Sequence, residues 1–214
     1  MPVPDTAVSA RRKAVPFVRD AVPADHPAIR AIVTAAYSQY ADMIPSVIFS
    51  NYRADLLDLD RHASLGRLLV AEADERVWGF GAFYPDASVQ SFGWPSGWAS
   101  GRALAVHPAA RGRGVARALI GAVEHLALDS GAPVFAFHTA SFMTGAIALY
   151  ERLGYRRAPE FDIDMGVHFG GLSAVPVTAL AYLRHLTRTR AHVTGVRQAG
   201  CPARSVHPKQ RDHQ

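Results

Sequence analysis

The chain has 214 residues, 49% of them hydrophobic and 19% charged, a balance that fits a globular protein and excludes a disordered one. Its single cysteine, Cys201, excludes an internal disulfide framework and any multi-cysteine metal site. The net charge of +5 is almost wholly arginine, since Lys13 and Lys209 are the only lysines, and no basic stripe interleaved with aromatics marks a nucleic-acid surface.

Residues 1–14 read as a flexible leader. Arg11, Arg12 and Lys13 are followed by no apolar segment of a secretory signal. No apolar run approaches the roughly 20 residues that span a bilayer, so a soluble cytoplasmic protein without a membrane partner is expected. One domain over 15–186 and a basic, disordered tail over 187–214 complete the expected organisation.

A short strand at Pro16–Arg19 leads through Pro23-Ala-Asp-His-Pro27 into a helix. Ile29, Ile32, Val33, Ala36, Tyr37 and Tyr40 give it one apolar face. Ile48, Tyr52, Leu56 and Leu59 place a second helix at about Val47–Leu59. Arg67–Ala73 and Val77–Tyr84 are apolar runs of strand length around the polar Asp74-Glu75-Arg76, the pattern of a hairpin. Asp86–Gly97 has no period and reads as a loop. A strand at about Trp98–Val106 stops at His107-Pro108, because proline lacks a ladder donor.

Val115, Leu119, Ile120, Val123, Leu126 and Ala127 mark a helix ending near Ser130-Gly131. Pro133–His138 is a buried-looking strand, and Thr144–Leu153 a helix closed by Gly154 at the position a left-handed residue takes. Phe161–Met165 reads as a strand. Val177–Leu186 fits either a strand or a short helix. A strand there could pair with a second copy, which leaves a homodimer as one option. Partial alternation of strands and helices implies an α/β fold with a mixed sheet and helices on both faces.

The stretch from Arg102 to Arg117 runs strand, turn, Gly/Arg loop and helix start. The first turn of a helix carries N–H groups without intrahelical partners at the positive end of the dipole, so this context makes an anion site. Gly112 and Gly114 allow close backbone approach, and Arg111, Arg113 and Arg117 can add charge-assisted contacts. A triphosphate loop would need a terminal Gly-Lys-Ser/Thr, which is missing. A dinucleotide fold would need a third glycine where Arg117 stands, and an acid where the next strand ends in His138-Thr139. A surface turn rich in glycine and arginine is the remaining alternative.

Arg111-Gly-Arg-Gly-Val-Ala116 matches the Gln/Arg-x-x-Gly-x-Gly/Ala signature, and Ala146-Ile-Ala-Leu-Tyr-Glu-Arg-Leu-Gly-Tyr155 is similar to the Ala-x-x-Leu-Tyr-x-x-x-Gly-Phe/Tyr block, of the GNAT (GCN5-related) N-acetyltransferase superfamily. The resemblance covers about residues 16–165. It implies a mostly antiparallel sheet splayed between its fourth and fifth strands, with the pantetheine arm of acetyl-CoA lying in the gap. Carried over, Leu104, Ala105 and Val106 would meet the pantetheine, and the backbone from Arg111 to Ala116, with Arg117, the pyrophosphate. The Val106 N–H would face the developing oxyanion. Tyr150 would meet the cofactor and protonate the leaving thiolate; the alternative is a core tyrosine closing its helix. Many members carry asparagine seven residues before that tyrosine. Here Met143 stands there, so Thr144 or Ser141 substitutes or the contact is absent.

Glu72 on the second strand and His138 at the end of the fifth are the candidates for a general base. The histidines show no metal-ligand spacing, so no metal is expected. The acceptor region implied by the resemblance offers Tyr37, Tyr40, Met43, Ile44, Phe49, Tyr52, Phe92, Trp94 and Trp98, with Asp42 and Asp86 to meet a cationic amine. Aromatics with few acids point to a small, moderately apolar amine. A protein or peptide N-acetyltransferase and a non-catalytic acyl-CoA-binding module are the alternatives.

Overall fold

The computed structural model describes residues 15–170 and 177–187; the leader and nearly all of the tail expected from the sequence lie outside the described residues. The strands are β1 (Phe17–Asp20), β2 (Arg67–Ala73), β3 (Arg76–Tyr84), β4 (Ala99–Val106), β5 (Val134–Ala140), β6 (Arg156–Arg157), β7 (Ile163–Asp164) and β8 (Thr178–His185). They form one sheet in the order β1-β2-β3-β4-β5-β8-β6, with β7 also on β8. All pairings are antiparallel except β4 with β5. The helices are α1 (His26–Tyr37), α2 (Ser46–Leu56), α3 (Leu59–Leu65), α4 (Val115–Asp129), α5 (Thr144–Arg152) and α6 (Met165–Gly170).

The run Leu68-Leu-Val-Ala71 lacks polar alternation because both faces of β2 are covered. Leu68 and Val70 pack in one cluster with Ile29, Ile32 and Val33 of α1. Leu69 and Ala71 pack in another with Leu119 and Val123 of α4. Asp74 and Glu75 at the β2–β3 turn have φ of 52° and 57°, which suits a two-residue hairpin turn of the primed kind. Gly79 lies where α4 crosses β3. A Cβ there would stand 2.5 Å from Val115 Cγ1 and 2.9 Å from Leu119 Cδ1, so only glycine lets the helix N-terminus come this close.

Three expectations change. The helix expected over Val47–Leu59 is two: α2 ends at Leu56, and the Asp58 carboxylate accepts the Arg61 N–H at 3.2 Å to cap α3. The apolar spacing runs on through the break because Leu56 and Leu59 are both buried. The strand expected at Phe161–Met165 shrinks to Ile163–Asp164. There the Asp164 carboxylate accepts the N–H groups of Gly166 and Val167 at 2.7 and 3.1 Å and starts α6. Val177–Leu186 is a strand, but β8 is held by β5 on one side and by β6 and β7 on the other, so it offers no open edge to a second copy.

Two irregularities in β4 shape the centre of the sheet. Phe80 pairs with Ala105 and Ala82 with Arg102, so β4 holds one residue more than β3 here, and Ala103 takes φ of 56° in the resulting bulge. β4 and β5 pair only at Ala99–Phe135 and Ser100–Ala136, then separate. Gly101 accommodates the divergence, for a Cβ there would meet the Phe135 ring at 2.8 Å.

Candidate active site

The gap between β4 and β5 opens into a cavity of about 720 Å³. On one side it is lined by Gly112, Gly114, Val115, Ala116 and Arg117 at the start of α4. Gly114, φ 82°, is the N-cap and supplies no side-chain cap. The Ala118 N–H makes the first helical bond, to the Gly114 carbonyl at 3.0 Å. The N–H groups of Val115, Ala116 and Arg117 therefore have no intrahelical acceptor, at the positive end of a helix of 15 residues. Gly112 takes φ of 73°, and nothing lies within 4 Å of a Cβ built on Gly112 or Gly114, which leaves room for an anion against the backbone.

The arginines of the loop have different places. Arg111 and Arg117 line the cavity, and Arg111 Nη1 donates to Gln39 Oε1 at 3.3 Å. The Arg113 side chain turns away to Asp74, 3.1 Å, and over the Trp78 ring at 5.3 Å, so it ties the loop to the β2–β3 hairpin. Arg152, at the end of α5, also lines the cavity and had no signal in the sequence beyond its charge.

Along β4, the His107 N–H donates to the Trp78 carbonyl of β3 at 2.9 Å. Strand alternation then turns the Val106 N–H and C=O to the opposite edge, where β5 has already diverged. Leu104, Ala105 and Val106 all line the cavity. The Leu104 carbonyl is partly engaged, accepting from the Tyr37 hydroxyl at 3.2 Å.

Tyr150 of α5 lines the cavity with its ring 4.3 Å from that of Phe137 on β5. Its hydroxyl bonds to no other described residue. Burial, then the neighbouring Tyr52 and Tyr40, pushes the phenol well above its ordinary value, so it is a protonated donor across the neutral range. Met143 lines the cavity as the N-cap of α5 and accepts a long contact from Thr139 Oγ1 at 3.8 Å. Of the two substitutes considered, Thr144 lines the cavity and Ser141 does not.

His138 also reaches the cavity. Its Nε2 stands 2.7 Å from the Phe161 carbonyl, which can only accept, so Nε2 carries the proton and Nδ1 is bare. Burial pushes the imidazole down to about 4, with the Trp94 ring tilted against it at 4.5 Å and Phe92 edge-on at 5.5 Å. Glu72 is not brought to the site. β3 separates β2 from the gap, and the Glu72 carboxylate accepts from Arg19 at 2.8 Å.

The far wall is aromatic. Tyr37, Tyr40, Tyr52, Phe142 and Phe169 line it, with Tyr37 5.8 Å from Tyr52 and Tyr40 5.3 Å from Phe142. Phe142 and Phe169 escaped the sequence reading, the second because α6 was not foreseen. Trp94 is buried behind His138 and does not line the cavity. Asp86 is spent on its own turn, accepting from Ser88 N and Oγ at 3.0 and 2.8 Å and from Ser96 Oγ at 3.0 Å. Arg102, unremarked in the sequence, lines this half and pairs with Asp55 of α2.

The sheet is thus split at its parallel step, with a naked helix N-terminus on one side of the split and an aromatic chamber on the other, an architecture with room for an extended anionic ligand. The sequence profile of the acetyltransferase (GNAT) family matches residues 28–155, and the chain belongs to that family. It is thus an acetyl-CoA-dependent acyltransferase. Solved structures share the fold. The protein yncA of Salmonella typhimurium, solved with its cofactor acetyl-CoA, is 20% identical with a TM-score of 0.54, over 83% of this chain and 97% of its own. A GNAT-family acetyltransferase of Staphylococcus aureus Mu50 gives a TM-score of 0.60 at 11% identity, over 80% and 99%. The ribosomal-protein-alanine N-acetyltransferase of Brucella melitensis gives 0.54 at 21%, over 79% and 99%. No curated protein sequence matches the chain. Among the described residues no group of His, Cys, Asp and Glu could hold a metal ion, and no helix is long and apolar enough to cross a membrane.

Proposed function

We propose that this chain moves the acetyl group of acetyl-CoA to the primary amine of a small molecule by direct attack in a ternary complex. The observation that carries the reading is one continuous cavity, from the unpaired N–H groups of α4 to the aromatic wall, with the Tyr150 phenol lining it. Acetyl-CoA, when bound, supplies the thioester. The backbone from Arg111 to Ala116 and the cationic Arg117 and Arg152 would hold its phosphates. Backbone groups of Leu104, Ala105 and Val106 would run beside its pantetheine arm.

The Val106 N–H would donate to the carbonyl oxygen as that oxygen gains charge. The acceptor nitrogen forms the new C–N bond, the C–S bond breaks, and Tyr150 delivers its proton to the sulfur. The phenolate regains a proton released by the amine, so the cycle closes without net gain or loss. A histidine near 4 is a weak base at neutral pH. The amine therefore reacts in its uncharged form, the one proton it loses after attack passes through water to the Tyr150 phenolate, and His138 serves as a neutral wall with an acceptor nitrogen.

The side-chain enclosure of the acceptor half, by Tyr37, Tyr40, Tyr52 and Phe142, supports a small molecule over a peptide. Free-thiol release from acetyl-CoA across a panel of small amines and peptides tests the proposal. Turnover is expected with compact amines of apolar body. Turnover with peptides alone would replace it with the peptide reading, and tight acetyl-CoA binding with no release would leave a binding module.

A further inference from the structure

The acceptor half of the cavity is positive. Among the described residues, no aspartate or glutamate lines any part of it. Arg111, Arg117 and Arg152 belong to the α4 side, which leaves Arg102 as the charged group of the aromatic side. The Arg102 guanidinium is held from behind. Nε donates to Asp55 Oδ2 at 3.0 Å, Nη2 donates to the same oxygen, and Cζ sits 4.5 Å above the Phe92 ring. Asp55 is shared, since its Oδ1 accepts from Arg61 Nη1 at 2.9 Å.

One carboxylate thus faces two guanidinium groups, and the cluster keeps an excess positive charge. His138 and His168 nearby add none, because burial holds both below their ordinary value. Arg102 Nη1 makes no hydrogen bond with a described residue, and it is not among the sealed polar atoms of the interior. An arginine with two of its donor atoms fixed and the third open is a preorganised half-fork for an oxyanion. A second cation would be repelled there, as no carboxylate is offered to it.

We propose that the acceptor carries an anionic group besides its amine, a carboxylate in the first instance, and that Arg102 is the residue that selects it. The substrate class is then an amino-carboxylic acid whose apolar or aromatic body lies against Tyr37, Tyr52 and Phe92. The inference rests on the reading of this cavity half as the acceptor site. Asp55 positions Arg102 and tempers its charge, while the phenols offer donors and no competing negative charge.

The test uses acetylated products, whose amides do not ionise, so the carboxylate alone is varied. Binding of N-acetyl-phenylalanine, N-acetyl-leucine and N-acetyl-methionine to the full chain with CoA is measured calorimetrically against the corresponding primary amides, alongside thiol release from the free amino acids. A charge-assisted contact predicts about a ten-fold or greater preference for the carboxylate in at least one pair. Arg102→Gln combined with Asp55→Asn, which leaves no unpaired buried ion, is expected to bring that ratio near one. Asp55→Asn alone is expected to raise it. Equal or tighter binding of the amides, binding of neither form, or a double variant that keeps the ratio overturns the proposal. Carboxylate-selective binding without thiol release from any acceptor upholds the anion site and refutes acetyl transfer. Thiol release with amide-selective binding does the reverse.

Discussion

Replacing Tyr150 by phenylalanine removes one oxygen and little else. The ring keeps its packing on Phe137 at 4.3 Å and its edge contact with Tyr155 at 6.1 Å. The hydroxyl bonds to no described residue, so its loss strands no partner, and the melting temperature is expected to move by no more than about 2 °C. The rate should fall much further. General-acid assistance is worth roughly 10²–10⁴-fold, and a thiol of parent pKa near 8.5 leaves with modest help. The lower end applies, about 10²-fold in kcat, or about 2.7 kcal/mol of barrier. The N–H groups of Val115–Arg117 are untouched, so KM for acetyl-CoA should hold. Burial raises the phenol above its ordinary value, so it stays protonated and the wild type should show no alkaline loss from this group below about pH 10. The assay is thiol release at saturating acetyl-CoA, beside a thermal melt. Full turnover in the variant, or a loss confined to KM, would refute the role given to Tyr150.

Gly79→Ala should cost about 1–3 kcal/mol and raise KM for acetyl-CoA, because the new Cβ stands 2.5 Å from Val115 Cγ1 and α4 must back away; denaturant melts and acetyl-CoA kinetics check both parts. With His138 pushed down to about 4, the rise of kcat/KM with pH should follow the acceptor's own amine, shifting between two acceptors of different basicity. A limb fixed near pH 6.5 for both, and lost in His138→Asn, would make the histidine the base. Arg19 beside Asp25, at 2.7 and 3.0 Å, holds that carboxyl below the usual range. Its folded value lies under the unfolded one, so its stabilisation is present above about pH 4 and fades as pH falls through the folded value. Asp25→Asn should cost about 1–3 kcal/mol at pH 7 and much less near pH 2, read by denaturant unfolding.

The parts legible in the sequence are those carried by short contiguous segments. Gly112, Gly114 and Tyr150 could be read because a turn, a helix start and an apolar helix face are local. The aromatic wall was half legible. Tyr37, Tyr40 and Tyr52 follow helical spacing, whereas Phe142 and Phe169 arrive from a strand exit and from a helix begun by Asp164. The acids misled for a simple reason: an aspartate two residues before Ser88 bonds its own backbone first, and a glutamate on β2 finds Arg19 across β1 before any distant gap. Asp86 and Glu72 are both consumed by neighbours that strand order and turn geometry supply.

Arg102 was hidden for a subtler reason, and the same feature explains the site. Reading β4 with strict alternation puts Arg102 with Leu104 and Val106 on one face. The bulge at Ala103 breaks that count. Arg102 pairs with Ala82 and Ala105 with Phe80, and Ala82, Phe80 and Ala105 share the α1 face. Leu104 and Val106 pass to the α4 face. One inserted residue, held at φ of 56°, thus sends the charged side chain toward α2 and the aromatic wall while Val106 keeps its backbone on the open edge. No periodicity in the stretch Arg-Ala-Leu-Ala-Val announces this, because alanine gives no warning of positive φ. The strain of a non-glycine residue there is of order 1–3 kcal/mol, and it sits on the strand that brings both Arg102 and Val106 to the cavity.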